Sequence, residues 1–79
     1  MEEKLKKYEE EIKIKDEDEI ITEMCGTMMI IGTIWNEFQG LESIDEILKV
    51  YDKLLFYTQK YGIILRETAR RDSNAQEKS

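Results

Sequence analysis

The sequence contains no histidine and only one cysteine, Cys25, among its 79 residues. Without histidine the chain lacks the commonest zinc ligand and the usual general base of enzymes, and one cysteine cannot form a disulfide within the chain. A domain of this length obtains only about 3 to 5 kcal/mol from its core unless a disulfide, a metal or a partner chain adds to it. We therefore expect no metal and no cofactor, and we expect oligomerisation to supply the missing stability.

Long apolar segments are also scarce. The uncharged stretch between Glu23 and Glu37 spans about 13 residues, fewer than the roughly 20 that cross a bilayer. The first seven residues are mostly charged, and they lack the apolar run of a secretory signal peptide. We therefore expect no membrane span and a cytoplasmic location, with which a lone thiol agrees.

Charge is abundant and mostly acidic. Charged residues make up 38% of the chain and the net charge is −6, while the hydrophobic fraction of 41% is close to that of globular proteins. An excess of acidic residues repels nucleic acid over long distances unless a local basic patch overcomes the repulsion. The composition therefore favours protein partners over nucleic acid.

Residues 1–18 form a charged segment with few apolar residues. Leu5, Tyr8 and Ile12 fall at positions i, i+3 and i+7, which share one narrow helix face. This spacing predicts a short, marginal N-terminal helix, and the sequence leaves open whether it docks on the rest of the chain. The acidic residues 16–18 can cap the helix that follows.

Residues 19–71 carry two amphipathic patterns, at 20–38 and 44–71, with apolar residues at the a, d and e positions of a heptad. On the first, Cys25 and Gly32 stand seven positions apart on the opposite side and would let another backbone approach closely. On the second, the apolar arc is too wide for one partner helix, whereas the b and c positions are polar and predict a solvated face. The excess apolar surface predicts assembly with further helices.

A short turn separates the two patterns. Gly40 can adopt the left-handed conformation that ends a helix, and Ser43 with Glu46 three residues later has the spacing of a capping box. A connection as short as residues 39–43 makes the flanking helices antiparallel neighbours. The sequence therefore predicts an all-α fold built on a two-helix hairpin.

Strand alternatives remain at two places. Isoleucine and threonine in residues 27–34 favour sheets, and two glycines there or nearby weaken a helix by about 1 kcal/mol each. Residues 12–15 alternate isoleucine and lysine as a short strand would. We favour helix for residues 27–34 because no second run of strand-like composition lies nearby to pair with it.

The predicted organisation has three parts. A charged helical segment covers residues 1–18, the helical hairpin covers 19–71 with its turn near 39–43, and 72–79 form a disordered tail because they are polar and lack periodicity. Two hairpins would dimerise into a four-helix bundle with coiled-coil packing.

Three groups of side chains are candidate sites. Cys25 has no base or cation near it in sequence, so we place it in a core or interface. The acidic residues 16–19 lack the ligand spacing and turn glycine of a calcium loop, and we assign them to helix capping. Arg66, Arg70 and Arg71 form the one basic cluster and are a possible anion contact, although cations at this helix end also complement the helix dipole.

The apolar surfaces contain aromatic residues and methionines, which suit protein interfaces. We predict contacts with a second copy or another protein at Met24, Met28, Ile31, Trp35, Tyr51, Leu55 and Phe56. The predicted function is a non-enzymatic interaction module, such as an adaptor, an inhibitor or an accessory subunit. The alternative is a nucleic-acid-binding regulator that uses the three arginines, and catalysis ranks third.

Residues 43–53 read Ser-Ile-Asp-Glu-Ile-Leu-Lys-Val-Tyr-Asp-Lys and follow a short turn and a hydrophobic helix. This stretch resembles the second helix of the exonuclease VII small subunit, a family of helical hairpins that serve a nuclease without catalysing. The resemblance covers about a third of the chain, consists mostly of heptad pattern and implies an accessory role. The family's charged first helix is missing, since residues 28–34 are apolar here.

Overall fold

Three helices make up the described part of the protein. The structure, a computed structural model, describes the backbone of residues 2–78 and the side chains of residues 2–73. Helices α1 (Glu2–Lys13), α2 (Glu17–Phe38) and α3 (Ile44–Lys78) follow one another, and no strand occurs within that part. The predicted all-α class is confirmed, and the strand alternatives are wrong. None of the described helices has the length and apolar content that a bilayer-crossing segment needs.

Acidic residues cap the start of α2, as the sequence predicts. The Asp16 carboxylate accepts a hydrogen bond from the Glu19 backbone N–H at 2.9 Å, and the Asp16 backbone N–H donates to the Glu19 carboxylate at 3.4 Å. This reciprocal capping box satisfies two donors that a helix start would otherwise leave without partners.

The turn between α2 and α3 differs from the predicted one. No glycine among the described residues has a positive φ, so the left-handed Gly40 is a wrong prediction. The amides of Gln39 and Gly40 instead donate to the carbonyls three residues earlier, at 3.2 and 3.4 Å, which tightens the last turn of α2. Helix α3 begins at Ile44 as predicted, and the Ser43 carbonyl accepts from the Ile47 amide at 3.0 Å.

Helices α2 and α3 pack side by side in opposite directions. Ile20, Thr27 and Ile34 are the buried residues of α2, and they stand seven positions apart, as residues that face one neighbouring helix do. Ile34 and Tyr57 line one groove between the two helices, and Ile20 and Thr68 line another groove nearer the start of α2. Residue numbers that increase along α2 are therefore matched by decreasing numbers along α3, so the two helices are antiparallel.

Helix α1 docks on the second half of α3, which answers the question that the sequence leaves open. Ile12 and Ile64 are 1% and 0% exposed, so both are fully covered. The core cluster consists of the buried Ile12, Ile20, Ile63 and Ile64 with the partly buried Leu5, Tyr8 and Met24. Part of the apolar surplus on α3, which the sequence assigns to assembly, is thus covered within the chain.

The end of α3 lies beyond the predicted position. The helix continues to Lys78 instead of ending at Arg71, so the predicted tail at 72–79 begins inside a helix. Residues 72–78 contain no proline or glycine to end it, and alanine, glutamine, glutamate and lysine there favour helix. Ser79 lies outside the described residues.

Burial predicts a contrast between two isoleucines at the end of α1. Ile12 is 1% exposed and Ile14 is 87% exposed. We expect Ile12→Ala to lower the free energy of unfolding by about 2 to 4 kcal/mol because it opens a cavity in the core. The matched control Ile14→Ala should change it by less than about 0.5 kcal/mol. Denaturant titration followed by circular dichroism measures both, and equal effects would contradict the docking of α1.

Candidate functional site

Helix α2 carries a second apolar stripe that no other helix covers within residues 2–73. Ile21, Met28 and Trp35 are each more than half exposed and stand seven positions apart. Each follows a buried residue of the stripe that faces α3, so it is turned about 100° further around the helix axis. Helix α2 therefore presents large side chains to solvent directly beside its contact with α3.

Helix α3 has a matching exposed stripe. Ile44, Leu48, Tyr51 and Leu55 are separated by four, three and four positions, the spacing of a helix face that packs on a partner helix. Their exposed fractions run from 69% at Ile44 to 36% at Leu55. The half of α3 that α1 does not cover therefore also has an uncovered apolar stripe.

The position of α1 shows that both stripes lie on one side of the α2–α3 pair. The Tyr8 hydroxyl donates to the Glu23 carboxylate at 2.9 Å, and the Lys60 ammonium lies 4.6 Å from the centroid of the Tyr8 ring. On α2, the contact with α1 at Glu23 and the exposed stripe lie on opposite flanks of the residues that face α3. On α3, the exposed stripe follows the residues that face α2 in the same rotational order.

Because α2 and α3 are antiparallel, this shared order places both stripes on one side of the α2–α3 pair. We name this surface the open face. It consists of Ile21, Met28, Trp35, Ile44, Leu48, Tyr51 and Leu55. Single exposed apolar residues are normal on proteins, whereas a contiguous apolar surface marks a binding site.

The structure brings together some of the residues predicted for a partner interface. The open face contains Met28, Trp35, Tyr51 and Leu55 from that set. Met24 packs against the core cluster, and Ile31 is partly buried between the two stripes of α2. Phe56 is one position beyond Leu55, turned away from the open face, and its ring centroid lies 5.3 Å from that of Tyr57 in an edge-to-face contact.

The open face also contains residues that the predicted interface lacks, namely Ile21, Ile44 and Leu48. Their heptad positions were visible in the sequence, but the same positions serve equally for packing within the hairpin. The docking of α1 covers one flank of the α2–α3 pair and so decides which apolar residues of the pair remain exposed. The sequence does not reveal which flank that is.

The basic cluster is tied into the fold at two of its three arginines. The side chain of Glu67 is 5% exposed and accepts hydrogen bonds from Arg70 at 2.6 Å and Arg71 at 2.7 Å. Arg71 also donates to the Lys15 carbonyl at 2.6 Å, just beyond the end of α1. Arg66 is exposed and forms no ion pair within residues 2–73. An anion would have to compete with Glu67 for Arg70 and Arg71.

Sequence reasoning missed the burial of Glu67, because this residue occupies one of the polar b and c positions that predict a solvated face on the second helix pattern. Hydrogen bonding to Arg70, followed by that to Arg71, lowers the pKa of the Glu67 carboxyl to about 2, against the opposing effect of burial. The spacing of three and four positions from Glu67 to the two arginines was a signal for these ion pairs.

The cysteine, the acidic residues and the grooves of the described part are the remaining candidate sites. Cys25 is exposed on α2, and no group of at least three His, Cys, Asp or Glu within the described part is arranged to hold a metal ion. The groove between α1 and α3, about 680 Å³, is open to solvent and lined partly by Glu2, Lys6 and Glu9. Such an open, charged groove does not exclude water from a bound molecule.

Comparisons of the chain with protein-family models, curated proteins and solved structures give no match. The resemblance of residues 43–53 to the exonuclease VII small subunit thus remains a likeness of one helix, and it carries no argument below. The open face is therefore the feature on which a functional proposal rests.

The lowered pKa of Glu67 predicts a pH dependence of stability. A carboxyl whose folded pKa is about 2, against an ordinary 4.5, stabilises the fold fully above pH 4.5 and loses that effect as the pH falls toward 2. We expect Glu67→Gln to lower the free energy of unfolding by about 1 to 3 kcal/mol at neutral pH, and to flatten its decline in acid.

Denaturant titration at several pH values measures this effect. Glu42 is an exposed residue of the turn and provides a control. The variant Glu42→Gln should leave the decline of the free energy of unfolding in acid unchanged. An equal decline in Glu67→Gln and the wild type would contradict the role of the Glu67 ion pairs.

The hydrogen bonds of Arg71 predict a local effect on α1. We expect Arg71→Ala to reduce the hydrogen-exchange protection of α1 amides about tenfold, because Arg71 connects Glu67 to carbonyls at the end of α1. The control Lys49→Ala, at an exposed position of α3 near the turn, should leave α1 protection unchanged. Unaltered α1 protection in Arg71→Ala would show that α1 is held by its apolar contacts alone.

Proposed function

We propose that this protein is a non-enzymatic protein–protein interaction module that works as a homo-oligomer. In this proposal two α2–α3 hairpins join through their open faces into a four-helix bundle, and the assembly acts as an adaptor, an inhibitor or an accessory subunit. The observation that carries the proposal is the alignment of large, exposed apolar side chains on one side of the chain.

The size of the open face supports this proposal. Helix α2 has 22 residues and is about 33 Å long, and two helices side by side are about 20 Å wide. The face therefore offers roughly 700 Å² to a partner, close to the 800 Å² or so that each side of a standard interface buries.

The residue types support binding as well. Trp35 and Tyr51 belong to the types that contribute most to interfaces, and Met28 between the other large side chains can adapt to a partner surface. The spacing of seven positions on α2 is that of a coiled-coil seam. A second helix pair can thus insert its side chains between those of the first.

Nucleic-acid binding through the three arginines has less support. Arg70 and Arg71 hold the buried Glu67, and the net charge of −6 repels a polyanion. The proposal therefore assigns Arg70 and Arg71 to the fold and the open face to binding.

Two adjacent methionines provide the test. Met28 lies on the open face, whereas Met29 is 73% exposed but turned about 100° away from it. Sedimentation equilibrium should show the wild type as a dimer of the 9.4 kDa chain at micromolar concentration. We expect Met28→Glu to weaken the dimer at least about 100-fold, because it would bury an unpaired charge, and Met29→Glu to remain dimeric. A wild type that stays monomeric would overturn the proposal.

A further inference from the structure

A groove of about 510 Å³ lies between α2 and α3, near the turn that joins them. All of its lining residues belong to these two helices, so α1 does not cover it. We name it the turn-side groove. It is lined by Met29, Ile30, Thr33 and Glu37 of α2 and by Lys53 and Tyr57 of α3.

Heptad spacing makes this groove a continuation of the site where α1 docks. The Tyr8 hydroxyl donates to the Glu23 carboxylate of α2, and the Tyr8 ring lies 4.6 Å from the Lys60 ammonium of α3. One heptad from these two contacts, toward the turn, stand Ile30 and Lys53. Residues seven positions apart share a helix side to within about 20°. A helix in the groove would therefore continue along the flank that α1 occupies farther from the turn.

The turn-side groove opens on a different side of the α2–α3 pair from the open face. Ile30 and Lys53 each stand two positions after a residue of that face, Met28 and Tyr51, and two positions turn a helix by about 200°. A molecule in the groove therefore leaves the open face free for a second copy. The groove needs an explanation of its own, beyond the proposed function.

Apolar side chains of the groove remain accessible to a partner. Met29 and Ile30 are exposed, and Tyr57 is partly buried with its ring against that of Phe56. Helix α3 rises about 20 Å from its start at Ile44 to Tyr57, which equals the length of about 13 residues of a partner helix. Grooves of this kind bind amphipathic helices through apolar residues at positions i, i+3, i+4 and i+7.

The α3 margin of the groove is basic, although the chain as a whole carries a net charge of −6. Lys49, Lys53 and Lys60 stand four and seven positions apart on this flank, and none of them forms an ion pair within the described part. The α2 margin carries Glu37 instead, and Glu46 lies beyond Lys49 at the turn end. Positive charge without an ion pair is thus concentrated on the α3 side of the groove.

We propose that the turn-side groove binds an amphipathic helix of another protein, with apolar residues on one face and acidic residues on the margin that meets α3. Charge complementarity selects this partner, because its carboxylates approach the three lysines while its other margin lies beside Glu37. A dimer joined through its open faces would hold two such helices. Phosphates of a nucleic acid fit less well, since a long polyanion also meets the acidic remainder of the chain.

Peptide display on the full chain tests the charge of the partner. The probe is a library of helical peptides of about 13 residues, with leucine at i, i+3, i+4 and i+7 and randomised margins. We expect the selected peptides to carry aspartate or glutamate on one margin, and Lys53→Glu to weaken their binding about tenfold in fluorescence anisotropy. The matched control Lys7→Glu makes the same charge change at an exposed residue of α1 and should leave binding unchanged.

Three outcomes of that selection would overturn the inference. They are a library that yields no binder, binders without acidic enrichment, and binders that Lys53→Glu does not weaken. A single-stranded RNA oligonucleotide that binds at physiological salt, and is lost in Lys53→Glu, would assign the lysines to phosphate and overturn the inference as well.

The two adjacent methionines locate the bound peptide. Met29→Glu places a negative charge in the groove, so it should weaken binding of the selected peptides at least about tenfold while the protein stays dimeric. Met28→Glu should retain peptide binding although it weakens the dimer. The reverse result would place the peptide on the open face and overturn this inference, leaving the proposed function standing. A wild type that binds the peptides as a monomer overturns the proposed function alone.

Discussion

Helix α1 is a single short helix that covers one side of the α2–α3 pair along part of its length, and the rest of the structure depends on this constraint. Its 12 residues extend about 18 Å, roughly half the length of α2. Its apolar residues are used up against Ile63 and Ile64 on one flank of α3. One side of the α2–α3 pair is thus partly covered by α1, and another side presents exposed apolar residues.

The buried carboxylate of Glu67 explains why α1 docks where it does. A carboxylate with 5% exposure destabilises a fold unless cations and hydrogen-bond donors surround it. Arg71 satisfies that requirement and also reaches the Lys15 carbonyl, so the ion pair and the end of α1 are held by one guanidinium. The basic cluster therefore connects the two ends of the chain in space, although a sequence reading associates such a cluster with anions.

Periodicity was sufficient to predict the three helices, because apolar spacing and the capping residues at Asp16 are local properties. The docking of α1 was beyond prediction, since Leu5, Tyr8 and Ile12 are a narrow stripe compatible with several neighbours. The burial of Glu67 was missed for a related reason: its heptad position faces solvent in a two-helix hairpin, and only a third helix covers it. Four of the seven residues predicted for a partner interface lie on the open face, whereas Phe56 does not, because the flank that α1 takes is a tertiary property.

Charge and apolar surface have separate roles in the proposed assembly. A net charge of −6 on each chain produces repulsion between two copies in every orientation, so it opposes association without selecting a geometry. Apolar burial on the open face is nondirectional and drives association without setting the register. The orientation of the proposed dimer must then come from short-range contacts between the side chains that border the open face.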